Sequence, residues 1–398
     1  MIKLPSRSDW SRIGPDFRHM LLATLFFGAA SGIFMSTLNN YLSDVHALDA
    51  SARGWLEFPR ELPGFLIIGV SALLLSFMRE ARMAALAMLL TSLGALGLGI
   101  VARDTALLIV FIVVWSMGDH IIFAVEGPIG LTLAKRGNEG RRLGQLGGAR
   151  NFGTILGVAG VWGLAKVWGD RFDLFYGLAA VCALAAGWHY MHLKVAETVA
   201  RSRRLVIKKK YGIFYAISAL FGVRKQIFLA FGGWVLVSLH GVPVTTIALL
   251  YFIAAALGVL VRPLLGDVID WVGERIVLAV DEVMLLVICL MYAFVTDVRI
   301  LYGAYILDSV LFALRIARTT YLKKIADDPS DITPTISVGI TVDHVVAMSL
   351  PILSGWLWEN YGHQYVFLLA GGIAVIGFFV CLQIRVPAPP PLAAEAEA

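Results

Sequence analysis

Eleven of the ionisable residues in the apolar stretches of this chain are candidates for chemistry, and they are the first thing to explain. Carboxylates and imidazoles can carry protons, whereas a guanidinium group binds anions. In the middle of a bilayer such a charge costs about 2.5–3.5 kcal/mol on insertion scales, so each should face a cavity or a partner. The eleven are Glu57, Arg60, Glu61, Asp119, His120, Glu126, Arg150, Asp308, Arg315, Asp343 and His344.

Three of these residues, Glu57, Arg60 and Glu61, lie three and four positions apart, so one helix face would carry them all. The arginine can neutralise one glutamate and share the other. The stripe predicts either an ion cluster near the external end of a membrane helix, or an external gate that contains a proton-sensitive carboxylate.

Asp119 and Glu126 lie seven positions apart and share a helix face, with His120 beside Asp119. No basic residue of the same apolar stretch can pair with Asp119, so it needs a partner from another helix or a proton. His120 is either a packed hydrogen-bonding group or a proton carrier, because imidazole titrates near neutrality. Arg150 either reaches the cytoplasmic interface or pairs with Glu126 or Asp119.

Asp308 and Arg315 are also seven positions apart, and Arg315 lies about as deep in its apolar stretch as Asp119 does. Arg315 is therefore the best candidate to hold an anionic group, or to form a salt bridge with Asp119 across a cavity. The neighbours Asp343 and His344 would point about 100° apart on a helix, so only one can face a cavity squarely.

Patterns typical of enzymes and cofactor sites are missing from the sequence. It contains no Ser/His/Asp nucleophile pattern, His-x-x-x-His zinc pair, phosphate-binding loop or kinase signature. The three cysteines, Cys182, Cys289 and Cys381, fall in apolar stretches and are expected to be small core residues. We therefore expect no enzyme activity, no cofactor and no metal.

The composition places these charges in a membrane protein. Of 398 residues, 59% are apolar and only 15% are charged, against about 25% in a typical soluble domain. A soluble core cannot hide that much apolar surface, which excludes a soluble enzyme, a disordered chain and a disulfide scaffold. The formal net charge of +5 indicates basic loops and not a nucleic-acid partner.

Apolar stretches of this length predict an all-α membrane protein with twelve transmembrane helices. A faint repeat between the halves at a shift of about 192–193 residues indicates two pseudo-symmetric six-helix bundles. The start of the seventh span is open between residues near 211 and near 225. The predicted domains are an N-terminal bundle (1–192), a basic cytoplasmic linker (193–224), a C-terminal bundle (225–386) and a disordered tail (387–398). The predicted spans are 17–41, 54–77, 83–102, 105–127, 146–167, 172–192, 225–243, 246–266, 276–296, 299–321, 335–357 and 363–386.

Lysine and arginine decide the predicted orientation. The N-terminus, the loops after even-numbered spans and the C-terminus hold 23 of the 33 basic residues, whereas the opposite loops hold five. Both termini are therefore predicted to be cytoplasmic. We expect a multi-pass protein of the cell membrane, taken to be a bacterial inner membrane.

The turn after the eighth predicted span reads Gly266-Asp-Val-Ile-Asp270-Trp-Val-Gly273-Glu-Arg275. Together with the six-plus-six spans and the basic linker, it resembles the G-x-x-x-D-x-x-G-x-[RK] signature of the major facilitator superfamily. Asp270 is expected to accept hydrogen bonds from Arg275 or from a helix N-terminus. Shifting the first half by about 192–193 residues lays Arg82 on Arg275, but the first-half copy, Ser76–Arg82, lacks the Gly and Asp.

The resemblance implies a secondary transporter whose two halves rock around a central site and open it to each side in turn. The depth of Arg315 favours a small organic anion, carried with protons by symport, and we expect a monomer in the lipid bilayer. Two alternatives stay open, an exporter of amphiphilic or hydrophobic compounds and a non-transporting receptor or scaffold of the same fold. The candidate proton carriers are Glu57, Glu61, Asp119, His120, Asp343 and His344.

Overall fold

The structure is a computed structural model that describes residues 14–134, 138–194 and 207–386. Within these ranges the chain is helical and contains no strand. The predicted disordered tail, residues 387–398, lies outside the described residues, as do residues 195–206 of the predicted linker.

Helices α1 to α6 make up the first half of the chain. Two of them begin at aspartate caps, because Asp49 accepts a hydrogen bond from the amide of Ala52 and Asp104 from that of Leu107. α1 and α3 each continue into a π-helical turn, over Tyr41–Val45 and Gly97–Val101. The helices are α1 Pro15–Asn40, α2 Ala50–Leu74, α3 Glu80–Leu96, α4 Thr105–Thr132, α5 Glu139–Trp168 and α6 Phe172–Met191.

Helices α7 to α13 make up the second half. A 3₁₀ turn, Lys209–Tyr211, leads into α7, and the π-helical turns Phe228–Gly232 and Val235–Leu239 continue it. A second 3₁₀ turn, Phe312–Arg315, joins α10 to α11 in one helical run. The helices are α7 Gly212–Ile227, α8 Val244–Val272, α9 Glu274–Phe294, α10 Val298–Leu311, α11 Ile316–Ile325, α12 Pro329–Tyr361 and α13 His363–Cys381.

The structure settles one helix boundary that the sequence left open and corrects another. The seventh helical run starts at Lys209, the earlier of the two open positions, so the predicted boundary at residue 225 falls inside α7. α8 continues to Val272, which corrects the expectation that Gly266 and Asp270 lie in a turn. The turn is at Gly273, whose φ of 88° is a conformation that suits glycine.

Ten helical runs among the described residues are long and apolar enough to cross a membrane. The other two long helices, α2 and α5, contain too many polar or charged residues to meet this criterion. α2 carries Arg53, Glu57, Arg60 and Glu61, and α5 begins in a polar, glycine-rich segment. The chain is therefore a multi-pass membrane protein in which two helices carry an unusual share of polar groups.

Helix packing separates contacts inside each half from contacts across them. In the first half, α1 packs on α5 and α6, and α3 packs on α4 and α6; in the second, α7 packs on α12 and α9 on α13. The glycines of α5 allow the close approach, since a Cβ at Gly153 or Gly157 would collide with the backbone of α1. Contact between the halves, called the seam here, is made chiefly by α2 against α12 and by α5 against α8.

The seam is tight at the end of the bundle that the charge pattern predicts to be external. A Cβ at Gly54 would collide with the carbonyl of Pro351, and one at Gly355 would lie 2.5 Å from the carbonyl of Ala50. Asn40 also donates to the carbonyl oxygen of Val242 at 2.9 Å. Small residues and hydrogen bonds thus close this end of the two halves.

Candidate functional site

A stripe of four charges runs along the α2 face that lies at the seam. Arg53 forms an ion pair with Glu57, and Arg60 lies 2.5 Å from Glu57 and 2.6 Å from Glu61. The exposed fractions of Arg53, Glu57 and Glu61 are 1%, 0% and 3%. The predicted helix face is therefore present, and it is buried, with each arginine placed to compensate a glutamate.

The stripe continues across the seam onto α7 and α12. Glu61 is hydrogen-bonded to His344 Nδ1 at 3.0 Å, and Glu57 accepts a hydrogen bond from Gln226. Lys225 Nζ lies 2.9 Å from Asp343 and 3.9 Å from Glu61. The first and second halves therefore share one hydrogen-bonded ionic network, called the seam network here.

His120 of α4 packs against this network. Its Nδ1 lies 2.9 Å from the carbonyl oxygen of Ser116, which orients the ring, and its ring centroid lies 5.2 Å from that of His344. Any Cβ at position 64 would collide with His120 and would crowd His344, so Gly64 leaves the room that the two rings occupy. The sequence placed these histidines in separate spans, and the fold brings them together.

The nitrogens of the two histidines and a carboxylate oxygen of Glu61 lie within 4.8 Å of one another, a spacing that a metal ion could use. The surrounding charge argues against that use, because Arg60 and Lys225 both lie close to the Glu61 carboxylate. The seam network has no net charge when both imidazoles are neutral. A bound proton would add one positive charge to it, whereas a divalent metal ion would add two, so the site suits a proton better. The network consists of the cations Arg53, Arg60 and Lys225 and the anions Glu57, Glu61 and Asp343.

A small cavity adjoins the seam network. Its volume is about 10 Å³, enough for about one water molecule. Asn39, Arg53 and Arg60 of the first half and Leu229 and Tyr251 of the second half line it. The side chains of Arg53 and Arg60 therefore border a cavity to which both halves contribute walls.

A second charge pair lies wholly inside the first half. Arg150 forms an ion pair with Glu126, one of the two partners that the sequence allowed, and Thr24 donates to Glu126 at 3.1 Å. The Arg150 guanidinium also lies 4.7 Å from the ring centroid of Phe27. Asp119 makes no hydrogen bond or ion pair among the described residues, although the positive charges of Arg150 and Arg60 act on it.

A third group of buried charges lies inside the second half. Arg224 Nη1 is 2.6 Å from Asp281, and its Nη2 is 3.0 Å from Asp308. One guanidinium therefore faces two carboxylates, and only 4% of its side chain is exposed. We call Arg224, Asp281 and Asp308 the inner triad.

Two arginines near the start of α11 lie over aromatic rings. Arg315 lies 5.3 Å from the ring centroid of Phe312, and Arg318 lies 4.5 Å from that of Phe221. Arg315 is exposed, whereas Nη1 of Arg318 is buried without a hydrogen bond among the described residues. No ion pair joins Arg315 to Asp119 in this conformation, so that pairing stays a prediction.

The residues of the loop motif do not brace one another in this conformation. Asp270 and Arg275 are both exposed, and no ion pair joins them within the described part of the chain. The buried charge at this turn is Glu274, which contacts Lys324 at 2.7 Å and so ties α9 to α11. Of the two glycines in the motif, only Gly273 forms the turn, because Gly266 lies within α8.

Five polar residues of these networks were not among the predicted site residues. The predicted spans left Arg53 in an external loop, and they placed Arg224 at the end of the linker and Lys225 at the start of the seventh span. A signal for Arg53 existed, because it lies four positions before Glu57 on the same helix face. The five residues are Arg53, Arg224, Lys225, Gln226 and Asp281.

Buried charges gathered between two sets of membrane helices are typical of transport proteins. The chain belongs to the Major Facilitator Superfamily, because the sequence profile of that family matches residues 20–322. It is a membrane transporter of the secondary type and not an enzyme, as the sequence predicted. No curated protein sequence matches the chain.

Solved transporter structures share the fold. The nucleoside transporter NupG has a TM-score of 0.74 at 14% identity, over 93% of this chain and 99% of that one. An inward-facing, unoccupied bacterial homologue of the human lysosomal transporter Spinster has 0.72 at 12%, over 95% and 97%. A D-xylose–proton symporter has 0.69 at 15%, over 93% and 97%. At these identities the likeness extends to the fold alone.

Proposed function

We propose that the chain is a twelve-span secondary transporter of the cell membrane, with two six-helix halves and both termini in the cytoplasm, that carries a small organic anion with protons. The two polar helices fit this architecture. α2 and α5 are the long helices that lack a stretch both apolar and uncharged enough for a lipid-facing span, and both pack across the seam. A helix that faces a seam or a cavity can carry charges that lipid would not tolerate.

The conformation supports alternating access. The hydrogen bonds and glycine contacts that join the halves run from Asn40–Val242 to Gly64–His344, from the predicted external end to the middle of the bundle. We assign this arrangement to a conformation that is closed outside. For the cargo to enter from outside, the seam network must break, and the two halves must separate there.

The observation that carries the proposal is the hydrogen bond between Glu61 and His344 across the seam. A proton on His344 turns it into an ion pair and strengthens closure; losing that proton weakens closure. The titratable and charged groups facing His344 are Glu61 on α2, His120 on α4, Lys225 on α7 and its own neighbour Asp343. Proton binding and movement of the two halves are thereby coupled at one contact.

The anionic cargo rests on the arginines near the start of α11. Arg315 is exposed beside Phe312, and Nη1 of Arg318 is buried without a hydrogen bond among the described residues. A carboxylate is a suitable acceptor for such groups, because guanidinium and carboxylate match in shape and charge.

The test is uptake into proteoliposomes that contain the purified protein and an imposed pH gradient. Labelled organic anions should accumulate with acid outside, and a protonophore should abolish the accumulation. His344→Gln should remove the response to the gradient, whereas His240→Gln, at an exposed loop histidine, should keep it. Accumulation that is unchanged in His344→Gln would contradict proton coupling at the seam.

A second candidate, an exporter of amphiphilic compounds, is favoured by one observation. Most buried carboxylates already have a cationic partner, as in the pairs Arg150–Glu126 and Lys225–Asp343. The same liposomes distinguish the two, because an exporter would move a hydrophobic dye outward and would not respond to organic anions. A receptor or scaffold would move neither.

A further inference from the structure

A groove lies on the outer surface of the first half, between α3 and α6. It has a volume of about 360 Å³ and is lined along α3 by Arg82, Ala85 and Leu89 and along α6 by Leu184 and Gly187. The helices run in opposite directions, so Arg82 lies at the end of α6 where the chain leaves the membrane. The groove is therefore polar at one end and apolar along its length.

Small residues form the floor of the groove. A Cβ at Gly187 would lie 3.1 Å from Cβ of Met88, which means that the two helices approach closely there. The walls stay exposed, with Leu89 at 46%, Leu184 at 48% and Trp188 at 55%. In a membrane protein such a surface faces acyl chains and not water.

The polar end of the groove is built to meet a headgroup. Arg82 is exposed and makes no hydrogen bond or ion pair within the described part of the chain. Beside it Trp188 packs against His192 at 4.2 Å between ring centroids, and His192 Nδ1 lies 2.7 Å from the Trp188 carbonyl oxygen. Tryptophan at this level is typical of the membrane interface.

We propose that this groove binds an anionic phospholipid, with its phosphate at Arg82 and one acyl chain along Leu89 and Leu184. From Arg82 to Leu89 the groove runs about 10 Å along the helix, against about 15 Å for the hydrocarbon of one leaflet. A single chain that enters from the headgroup region therefore fits its direction and length. Basic pockets between membrane helices favour anionic headgroups for the same electrostatic reason.

The groove is not a by-product of the repeat. The 193-residue shift that lays Arg82 on Arg275 also lays Leu89 on Glu282 and Leu184 on Gly377. There the space is filled, because a Cβ at Gly377 would lie 2.6 Å from Cδ of Glu282. Arg275 is therefore an arginine at the matching helix position without the groove, which makes it the control.

The experiment measures the thermal unfolding of delipidated protein in detergent with added dioleoyl phosphatidylglycerol or dioleoyl phosphatidylcholine. Phosphatidylglycerol should raise the unfolding temperature more than phosphatidylcholine does. In Arg82→Gln its half-saturating concentration should rise about fivefold, the effect of one basic residue near an anionic surface. Arg275→Gln should behave as the unchanged protein does.

A second variant tests the apolar part of the groove. Leu89→Trp adds bulk at an exposed wall, so the protein should fold, but the acyl chain should lose its place and both lipids should stabilise less. Soluble glycerol phosphate should have no effect if the chain contributes to binding. The proposal is overturned if Arg82→Gln matches Arg275→Gln, if both lipids act equally on the unchanged protein, or if glycerol phosphate alone reproduces the shift.

Discussion

The seam network and the inner triad are both buried, both charged and joined at neighbouring residues of α7, yet they hold different parts of the molecule together. Lys225 points to Asp343 and Glu61 at the seam, whereas Arg224 points to Asp281 and Asp308 inside the second half. Adjacent residues on a helix point about 100° apart, so one turn of α7 serves both networks.

The two networks therefore have opposite requirements. The inner triad ties α7 to α9 and α10, so breaking it loosens one half. The seam network ties α2 to α7 and α12, and in a transporter that alternates it must form and break in each cycle. Burial alone does not distinguish a structural ion pair from one that works as a gate, but the elements that a pair connects do.

The largest effect should follow removal of the triad's only cation. Arg224→Gln leaves two buried carboxylates together, so we expect a loss of about 3–5 kcal/mol of stability, the usual cost of breaking a buried pair. Asp281→Asn leaves a one-to-one pair with Asp308 and should cost much less. Thermal unfolding in detergent measures both. Equal losses for the two variants would mean that the triad is not held together by charge.

Substitutions in the seam network should reduce transport more than they reduce the stability of the protein. Glu61→Gln and His344→Gln should each lower uptake at least tenfold. His344→Gln should give up about 1 kcal/mol of stability, the worth of one hydrogen bond, whereas Glu61→Gln also leaves one buried cation uncompensated and should cost more. The double variant should be no worse than either single one, because the two groups act as a unit. Lys225→Gln is the matched comparison with Arg224→Gln. If Lys225→Gln destabilises as strongly, the distinction between the networks is lost.

From the sequence we could predict which charged residues share a helix face, but not which residues of other helices they contact. Spacing on one helix was enough for the stripe of Glu57, Arg60 and Glu61, because neighbours at three and four positions must share a face. Partners on distant helices, such as His344 for Glu61, depend on packing that local patterns do not contain. The seventh span was predicted to begin at Lys225 for the same reason, since a lysine beside an apolar stretch resembles the end of a span.

Helix ends were mispredicted where polar residues are buried or where a helix extends past the apolar stretch. Gly266 and Asp270 suggested a turn, but α8 reaches Val272 and only Gly273 leaves helical geometry. Ordinary helix propensity carries α8 through the motif, whereas a turn needs the positive φ that Gly273 provides. The family signature therefore located the turn region but not the turn residue.

A pairing of Asp119 with Arg315 would add a third class, a contact made only in another conformation. Asp119→Asn and Arg315→Gln should each reduce uptake several-fold, and the double variant should show coupling in uptake but additive effects on thermal stability. Coupling in stability would place the contact in the resting conformation, which contradicts the present geometry. Additive effects on uptake as well would remove the pair from the mechanism.

The α8–α9 turn also has one charge on a helix at the seam and one inside the second half, and smaller effects are expected there. Asp270 is exposed on a helix that packs across the seam, so Asp270→Asn should slow turnover a few-fold and leave apparent affinity and stability unchanged. Glu274 is buried against Lys324 inside the second half, so Glu274→Gln should lose about 1 kcal/mol with uptake kept. Unchanged turnover in Asp270→Asn would show that the motif has no role in this chain.

The smallest effect should come from the exposed pair at the entrance to α7, where Lys210 forms an ion pair with Asp327. The hydrogen bond from Lys210 lowers the pKa of Asp327 below its usual 3.8. A lowered carboxyl pKa means that the pair's contribution is present above the unfolded value and is lost as the pH falls through the folded one, below about 4. Asp327→Asn should therefore leave both uptake and the unfolding temperature at pH 7 nearly unchanged, because exposed pairs contribute little. The pH dependence of uptake should be the same in Asp327→Asn and in the unchanged protein, because the proposed proton site is the contact between Glu61 and His344 and not this pair. A pH profile of uptake that shifts in Asp327→Asn would mean that the pH response does not come from the seam.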